Sequence, residues 1–246
     1  MSDVLTTPAA TSRGTTPTTS EAVPRTMQSS SLIRRLKVAQ AIAGTVFSVF
    51  LSFHLANFFL APFGPEVFNG FQRSIRVFYQ SPLVEWLVVV VPLLVHVVCG
   101  VWLLLVNKGR GRLSWHRMAG IFLMLVIVGH VAAVRGPSVL YDVFPEFEGL
   151  SFSLWYFPAY FYPYYFLLAM AGFYHMTLGL DRVRIRFSLP LPTLSSRILL
   201  LTVAAWSVIS LLALGGLLFP VSDPSTSAFA LLGAQLFGLD VSRPWL

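Results

Sequence analysis

The stretch that decides the fold is residues 38–60, VAQAIAGTVFSVFLSFHLANFFL, which carries no charged side chain and contains one histidine, His54. A helix crosses the hydrocarbon core of a bilayer with about 20 predominantly apolar residues. The stretch is therefore long enough to be a transmembrane helix. Its histidine is noteworthy, because an ionisable side chain is costly inside a membrane and usually has a functional role there.

Four further apolar runs follow and are similar to the first in length. The five runs are Val38–Leu60, Pro82–Val106, Met118–Val134, Pro158–Leu180 and Ile198–Phe219. Composition agrees, since 56% of the 246 residues are hydrophobic and 11% are charged, against about 25% charged in a soluble domain. The sequence thus predicts an all-α integral membrane protein with five transmembrane helices.

Two tails flank this transmembrane domain, which spans residues 32–219. Residues 1–31 are rich in Ser, Thr and Pro and predict a disordered tail. They lack the apolar core of a secretory signal peptide. Residues 220–246 contain an apolar stretch, Ala228–Leu239, that is too short to cross a bilayer. This stretch is expected either along the membrane interface or against a partner.

The distribution of Lys and Arg predicts the orientation. Thirteen of the 17 basic residues lie on the side of the N-terminus, including Lys108, Arg110 and Arg112, and four lie on the other side. Because cytoplasmic loops carry the excess of Lys and Arg, we expect the N-terminus in the cytoplasm and the C-terminus outside. The net charge of +7 is thus explained by topology, and no nucleic-acid partner is predicted.

Four of the five histidines lie within apolar runs, one on each of the first four predicted helices. They are His54, His96, His130 and His175, and the fifth, His116, lies at the cytoplasmic start of the third helix. A helix rises about 1.5 Å per residue. Counted from the basic connections, His54 and His130 share one depth, and His96 and His175 share another, roughly 10 Å nearer the cytoplasm.

Neutral imidazole is a common axial ligand of haem iron. We therefore predict an outer haem on His54 and His130 and an inner haem on His96 and His175. Two imidazoles on one iron leave no open position, which favours electron transfer over oxygen chemistry. One structural zinc ion would need four ligands converging within one sphere, which the two depths oppose.

A weak internal repeat supports the pairing. Ala-Gly precedes histidine by the same interval in the first and third helices, at Gly44 and His54 and at Gly120 and His130. In the second and fourth helices a glycine follows the histidine by one turn. Gly100 follows His96, and Gly179 follows His175. We expect these last two glycines to admit a flat macrocycle, because they share a face with the histidines.

The chain resembles the five-helix, two-haem cytochrome b anchor subunits of succinate dehydrogenases and fumarate reductases. The resemblance covers about residues 32–219. It rests on the order of the four histidines and their neighbouring glycines, on Glu85 through Pro92 to His96, and on the segment His116-Arg117-Met-Ala-Gly120. It implies a multi-pass protein of the bacterial inner (cytoplasmic) membrane with two b-type haems.

The resemblance also implies partners and a place in respiratory electron transport. A flavoprotein and an iron–sulfur subunit would bind the cytoplasmic face. Electrons would pass through the haems to or from a membrane quinone, most often menaquinone in this family. The chain alone is not expected to oxidise succinate, since it has neither a dinucleotide-binding glycine fingerprint nor a cysteine set for an iron–sulfur cluster.

Five charged or polar residues are weaker candidates. Glu85 resembles a family carboxylate near an outer quinone site, although glutamate is also favoured in the first turn of any helix. Arg182 shares a face with His175 and is a candidate partner of an inner-haem propionate. His116 and Arg117 are candidates for propionate contact or for the border of an inner quinone site. Arg135 is a candidate partner of an outer-haem propionate.

Three alternatives stay open at this point. The chain is a haem b subunit of another membrane oxidoreductase, of the formate dehydrogenase or hydrogenase type. It is a transporter or proton channel with a histidine relay. Or it is a scaffold in which the histidines bond to neighbouring carbonyls. A spectrum that shows haem separates the first alternative from the other two.

Overall fold

The computed structural model describes residues 25–106, 114–194 and 196–244, and all regular secondary structure in these ranges is helical. The longer helices are α1 (Arg25–Phe59), α2 (Pro65–Tyr79), α3 (Pro82–Val106), α4 (Trp115–Tyr141), α5 (Phe147–Tyr156), α6 (Pro158–Arg186), α7 (Arg197–Leu214) and α8 (Ala228–Phe237). Short 3-10 turns lie at Ala61–Phe63 and Pro224–Thr226.

The described ranges leave some sequence-based predictions outside them. Lys108, Arg110 and Arg112 lie outside, as do residues 1–24 of the predicted N-terminal tail. The first helix begins at Arg25, so it includes the last seven residues of the segment that was expected to be tail.

Four helical segments in the described part of the chain are long and apolar enough to cross a membrane. They are Ser31–Phe63, Pro82–Val106, Trp115–Tyr141 and Arg197–Leu214. Their outward faces carry exposed apolar side chains such as Leu125, Val128 and Leu201, each more than 70% exposed. An apolar surface of this extent is unfavourable in water and suits a lipid environment. The architecture is that of an all-helical, multi-pass membrane protein.

The fifth predicted span corresponds to α6, which is helical over 29 residues. It is long enough to cross a bilayer at about 1.5 Å per residue, but its tyrosines and His175 make it less apolar than the other four. Its crossing therefore remains a prediction, while the other four predicted spans are confirmed as helices of suitable length and hydropathy.

A π-helical turn lies near the start of α3, at Glu85–Val90, and ends two residues before Pro92. Proline has no N–H to donate, and its ring clashes with the carbonyl four residues earlier in a regular α-helix. The wider turn accommodates this residue, and the N–H of Val91 bonds to the carbonyl of Trp86, five residues back. Proline thus leaves α3 continuous but changes the direction in which Glu85 faces relative to His96.

The long helices form a bundle in which α1 is central. It packs along α3 and also contacts α6 and α7. Helix α4 packs chiefly along α6, and its side chains reach α1 at His130 and α3 at Arg135. The space between α4 and the α1–α3 pair is therefore crossed by side chains, whereas α1 and α3 lie in close backbone contact.

A cap closes the end of the bundle at which α1 ends. It consists of α2, α5 and α8 with the two 3-10 turns, and it packs on the end of α7. Its core includes Phe68 of α2, Phe147 and Leu154 of α5 and Leu214 of α7, all no more than 1% exposed. Because residues distant in sequence share this core, the cap fixes which ends of α1, α6 and α7 lie together.

The apolar stretch of the C-terminal tail is part of this cap. Helix α8 packs on α5, and Ala230 of α8 is fully buried. A Cβ atom added at Gly149 of α5 would lie 3.2 Å from the Cβ of Phe229. Of the two expected placements, interface or partner, the structure shows contact with the protein's own helix α5.

Candidate haem-ligand histidines

The first pair of histidines lies near the cap. His54 of α1 and His130 of α4 have ring centroids 5.9 Å apart, with 79° between the ring planes. Phe50 stacks on His54 with 5.6 Å between ring centroids. The hydroxyl of Tyr164, which lies on α6, is 3.5 Å from Nδ1 of His130. The two residues expected to share an outer haem are thus neighbours in space.

The second pair lies farther from the cap. His96 of α3 and His175 of α6 have ring centroids 5.9 Å apart, with 90° between the ring planes. The ring of His96 lies at the level of Gly44, ten residues before His54 on α1. Ten helical residues correspond to about 15 Å. The two pairs thus lie at different depths, with a somewhat larger separation than the spacing of the sequence predicted.

Both histidines of the second pair are held by backbone carbonyls. Nδ1 of His96 lies 3.0 Å from the carbonyl oxygen of Gln40, and Nδ1 of His175 lies 3.2 Å from that of His116. A carbonyl oxygen only accepts hydrogen bonds, so Nδ1 is the protonated nitrogen in each ring. Each ring then presents Nε2 as an unprotonated nitrogen, the form that binds a metal.

Two glycines make room for these rings. A Cβ atom added at Gly44 would lie 2.6 Å from Nδ1 of His96, and one added at Gly120 would lie 2.8 Å from Cε1 of His175. Real Cβ atoms do not approach other atoms so closely. The matched Ala-Gly positions of the first and third predicted spans therefore have a common structural purpose, which is to let an imidazole from a neighbouring helix approach the backbone.

Gly100 and Gly179, which we expected to make room for a haem macrocycle, face side chains of neighbouring helices instead. A Cβ atom at Gly100 would lie 3.0 Å from Nε2 of Gln40, and one at Gly179 would lie 3.9 Å from Cε1 of His116. These glycines face side chains of α1 and α4. In this structure they serve helix packing, and their predicted role toward a haem remains a prediction.

His116 is the fifth histidine and lies directly against the second pair. Its ring is stacked on that of His175, with 4.2 Å between centroids and 6° between planes. Its Nδ1 is buried without a hydrogen-bond partner in the described part of the chain. His116 therefore contacts a candidate ligand through both its ring and its backbone carbonyl.

The basic candidates differ in their proximity to this cluster. Arg182 is exposed, and its charge lies close enough to His116 and His175 to interact with them electrostatically. Arg117 is also exposed, and its backbone N–H donates to the side chain of Ser114, which caps the start of α4. Arg182 is thus the one of the two that the structure places near the predicted inner site.

Glu85 and Arg135 contact each other near the cap-side pair. Nε of Arg135 donates to Oε1 of Glu85 at 2.7 Å, and a terminal nitrogen donates to Oε2 at 2.8 Å. The remaining terminal nitrogen donates to the hydroxyl of Ser138 at 2.9 Å. Sequence reasoning placed both residues near the outer site but did not predict that they pair, because nothing in their spacing shows that α3 and α4 meet there.

The fit of these pairs to a metal can be judged from their spacing. A metal–nitrogen bond is about 2 Å long, so two imidazoles that share one metal through facing nitrogens have ring centres about 6 Å apart. The distance between ring centroids is 5.9 Å in both pairs, which matches this spacing. Within the described ranges, no group of three or more His, Cys, Asp or Glu side chains is placed to hold a metal ion. A haem iron differs in this respect, because it needs only axial ligands from the protein.

Two residues near the histidines were missed by sequence reasoning. Gln40 contributes the carbonyl that holds His96, and Tyr164 contributes the hydroxyl beside His130. The sequence did contain a signal for Gln40, since it precedes Gly44 by four residues just as His116 precedes Gly120.

Comparison of the chain with protein-family models, with curated proteins and with solved structures gives no match.

Proposed function

We propose that the chain is the di-haem cytochrome b membrane-anchor subunit of a succinate:quinone oxidoreductase, a succinate dehydrogenase or fumarate reductase. The observation that carries the proposal is the presence of two imidazole pairs, each with ring centres 5.9 Å apart, on four different helices.

In this proposal His54 and His130 hold one b-type haem, and His96 and His175 hold the other. Each bound haem supplies a centre that accepts and releases one electron at a time. The protein fixes the ligand nitrogens: the carbonyls of Gln40 and His116 keep Nδ1 of His96 and His175 protonated. Saturation of each iron by two imidazoles would exclude oxygen binding.

The fold supports the fifth membrane crossing that completes this architecture. Helix α7 ends at the cap, where Leu214 shares a core with Phe147 of α5. Because α6 starts at Pro158, directly after α5, it also starts at the cap. A chain that leaves the cap in α6 and returns to it in α7 crosses the bundle twice, which gives five spans in all.

The proposed orientation places the cap outside and the basic connections in the cytoplasm. The last turn of α6 carries Arg184 and Arg186, whereas Glu66 and Glu148 lie in the cap. This distribution follows the excess of basic residues in cytoplasmic loops. The flavoprotein and iron–sulfur subunits are proposed to bind the basic face, which is nearer to the His96–His175 pair.

Quinone chemistry is proposed beside the cap-side pair. Glu85 lies on a π-helical turn, and such turns are frequent at functional sites. Its carboxylate is bound by Arg135 and lies within the span, where a charged group without a partner is costly. The ion pair thus places a carboxylate near the predicted outer haem.

The experiment that tests the function is purification of the intact complex from native membranes. We expect reduced-minus-oxidised spectra of b-type haem, two haems per copy of this chain, and co-purification of a flavoprotein and an iron–sulfur protein. The complex should transfer electrons from succinate to a quinone. A colourless preparation would contradict the proposal, and partners of the formate dehydrogenase or hydrogenase type would favour the other oxidoreductase class.

A further inference from the structure

Two parts of the chain repeat one pattern of positions. In α1 and α3, Gln40 is followed after four residues by Gly44, and His96 after four residues by Gly100. In α4 and α6, His116 is followed after four residues by Gly120, and His175 after four residues by Gly179. The interval from the first position to the cap-side histidine is fourteen residues in both parts, from Gln40 to His54 and from His116 to His130.

The contacts repeat along with the positions. The carbonyl of the first position binds Nδ1 of the histidine, at 3.0 Å for Gln40 and 3.2 Å for His116. The ring then lies over the glycine one turn later, where a Cβ atom would come within 2.6 Å at Gly44 and 2.8 Å at Gly120. Repeated spacing alone can arise by chance in helices, but repeated spacing with repeated contacts indicates a common arrangement.

The glycine that follows each histidine completes the arrangement. Gly100 faces the side chain of Gln40, and Gly179 faces the side chain of His116. A Cβ atom at Gly100 would lie 3.0 Å from Nε2 of Gln40, which is a tight approach, whereas one at Gly179 would lie 3.9 Å from Cε1 of His116, which is an ordinary contact. The α1–α3 pair thus has one glycine on each helix beside the contact, Gly44 and Gly100, and the α4–α6 pair has Gly120 and Gly179.

We propose that the two histidines of the second pair are held by two copies of one ligand seat, and that Gln40 and His116 are equivalent positioning residues within it. We define a seat by its four positions: Gln40, Gly44, His96 and Gly100 in the first copy, and His116, Gly120, His175 and Gly179 in the second. This inference rests on the proposed function. It gives His116 the role of Gln40, which is neither that of an axial ligand nor that of a quinone-binding group.

The seat influences the ligand nitrogen, Nε2, by holding the other ring nitrogen, Nδ1. The carbonyl fixes Nδ1 as the donor, and the glycine lets the ring approach the backbone closely enough for that hydrogen bond to form. The haem of His96 and His175 would therefore depend equally on α1 and α4, although neither helix supplies a ligand to it. The cap-side haem depends on α1 and α4 directly, through His54 and His130.

The two copies differ in the side chain at the first position. His116 stacks flat on His175 at 4.2 Å, whereas Gln40 places an amide over Gly100. Because the carbonyl and the glycine are the shared elements, we infer that the side chain of His116 can be replaced by glutamine without loss of the haem. The stacked ring is expected to adjust the reduction potential of that haem.

The first test introduces a methyl group into each seat of the intact complex. Gly44→Ala and Gly120→Ala are both expected to lower the haem content from two to one per chain, with loss of the haem that His96→Ala also removes. Gly136→Ala is the matched control on α4, because a Cβ atom there has no neighbour within 4 Å, and it should retain both haems. The inference is overturned if the two glycine variants affect different haems, lose both haems, or retain both.

The second test exchanges the first position. His116→Gln should retain two haems, and in a redox titration only the midpoint potential of the haem on His96 and His175 should move. Loss of a haem, an unchanged potential, or a shift confined to the other haem would overturn the inference. The wild-type complex distinguishes the two proposals. If it contains no haem, the proposed function is rejected. If it contains two haems but the variants do not behave as expected, only the proposal of two equivalent ligand seats is rejected.

Discussion

Arg135 of α4 binds the carboxylate of Glu85 of α3 through two parallel hydrogen bonds, 2.7 and 2.8 Å long. The Glu85 side chain is 22% exposed and that of Arg135 is 31% exposed. The ion pair therefore links α3 to α4 through side chains. It lies between the cap and the first pair of histidines. A guanidinium that binds a carboxylate in this way is geometrically specific as well as charged.

Removal of either partner of this ion pair should destabilise the contact between α3 and α4. For Glu85→Gln and Arg135→Gln we expect a loss of about 2 kcal/mol each, because a partly buried charge loses its partner. The double variant should be less destabilised than the sum of the two, since it leaves no charge behind. Thermal unfolding of the purified complex measures the loss of stability in each variant. If the losses of the two single variants add up to that of the double variant, the interaction between Glu85 and Arg135 does not stabilise the protein.

The same variants distinguish a structural pair from a quinone site. If Glu85 takes part in quinone chemistry, Glu85→Gln should lower quinone turnover at least tenfold while both haems remain bound. Ser138→Ala is the control, because it removes the bonds of the Ser138 hydroxyl with the guanidinium and the carbonyl of Arg135 but leaves both bonds to Glu85, and it should leave turnover nearly unchanged. Equal turnover in Glu85→Gln and in the wild type would restrict the pair to a structural role.

The pairing of the histidines could be predicted because it depends only on helix rise and direction. His54 and His130 lie on helices of the same direction, 17 and 13 residues beyond Lys37 and Arg117, so both fall in the outer half. His96 and His175 lie 12 and 7 residues before Lys108 and Arg182, so both fall nearer the basic ends. These distances are set by covalent geometry and need no knowledge of side-chain packing. The structure brings both predicted pairs together at 5.9 Å.

The contacts that support the histidines could not be predicted in the same way. The hydrogen bond from His96 to the carbonyl of Gln40 depends on the rotation of α3 against α1, which hydropathy does not define. A π-helical turn precedes Pro92, and this proline indicates a distortion of the helix but not its form. The cap escaped prediction because α8 is too short to show from its sequence where it packs.

The pairs lead to a prediction about haem content. His54→Ala and His130→Ala should each remove one and the same haem, and His96→Ala and His175→Ala should each remove the other. The reason is that both variants of a pair remove an axial ligand of the same iron. Haem quantification and redox titration of each purified variant identify which haem remains. Loss of one haem by both His54→Ala and His96→Ala would contradict the pairing.

The angles between the rings lead to a spectroscopic prediction. The ring planes are close to perpendicular in both pairs, at 79° and 90°. Perpendicular imidazoles on a ferric iron leave two of its d orbitals nearly equal in energy, so the low-spin signal is strongly anisotropic. Electron paramagnetic resonance of the oxidised complex should show one large g value for each haem. A rhombic signal typical of parallel ligand planes would contradict the geometry of that pair.

Asn69 leads to a prediction about the cap. It is buried on α2, where its Oδ1 accepts from the N–H of Phe147 at 2.8 Å and its Nδ2 donates to Glu148 at 3.1 Å. Asn69→Ala should cost about 2 kcal/mol of stability, because it leaves a buried N–H without an acceptor.

The control for Asn69 lies on the same helix. Ser74 is exposed and donates to the carbonyl of Gly70 within α2, so Ser74→Ala should leave stability close to that of the wild type. Differential scanning measurements of the purified complex compare the two variants. If they unfold at the same temperature, the link from Asn69 to α5 does not stabilise the cap.

Cysteine labelling decides whether α6 crosses the membrane. The chain has one cysteine, Cys99, which is buried and can be replaced by alanine to give a background for single cysteines. Suitable sites are Val77 of α2, Leu191 after α6 and Ser222 after α7, which are all exposed. With five spans, a membrane-impermeant maleimide added outside intact cells should label cysteines at 77 and 222, and label 191 only after permeabilisation.

The opposite result has an equally clear signature. If α6 remained on the cap side, only four helices would cross, so residue 191 would be labelled from outside and residue 222 only after permeabilisation. Position 77 precedes α6 and should be labelled in both cases, which makes it the internal control. The five-span pattern is expected because α5 and the end of α7 share the core formed by Phe147 and Leu214. A helix that returns to this core from the far side of the membrane must be preceded by one that left it.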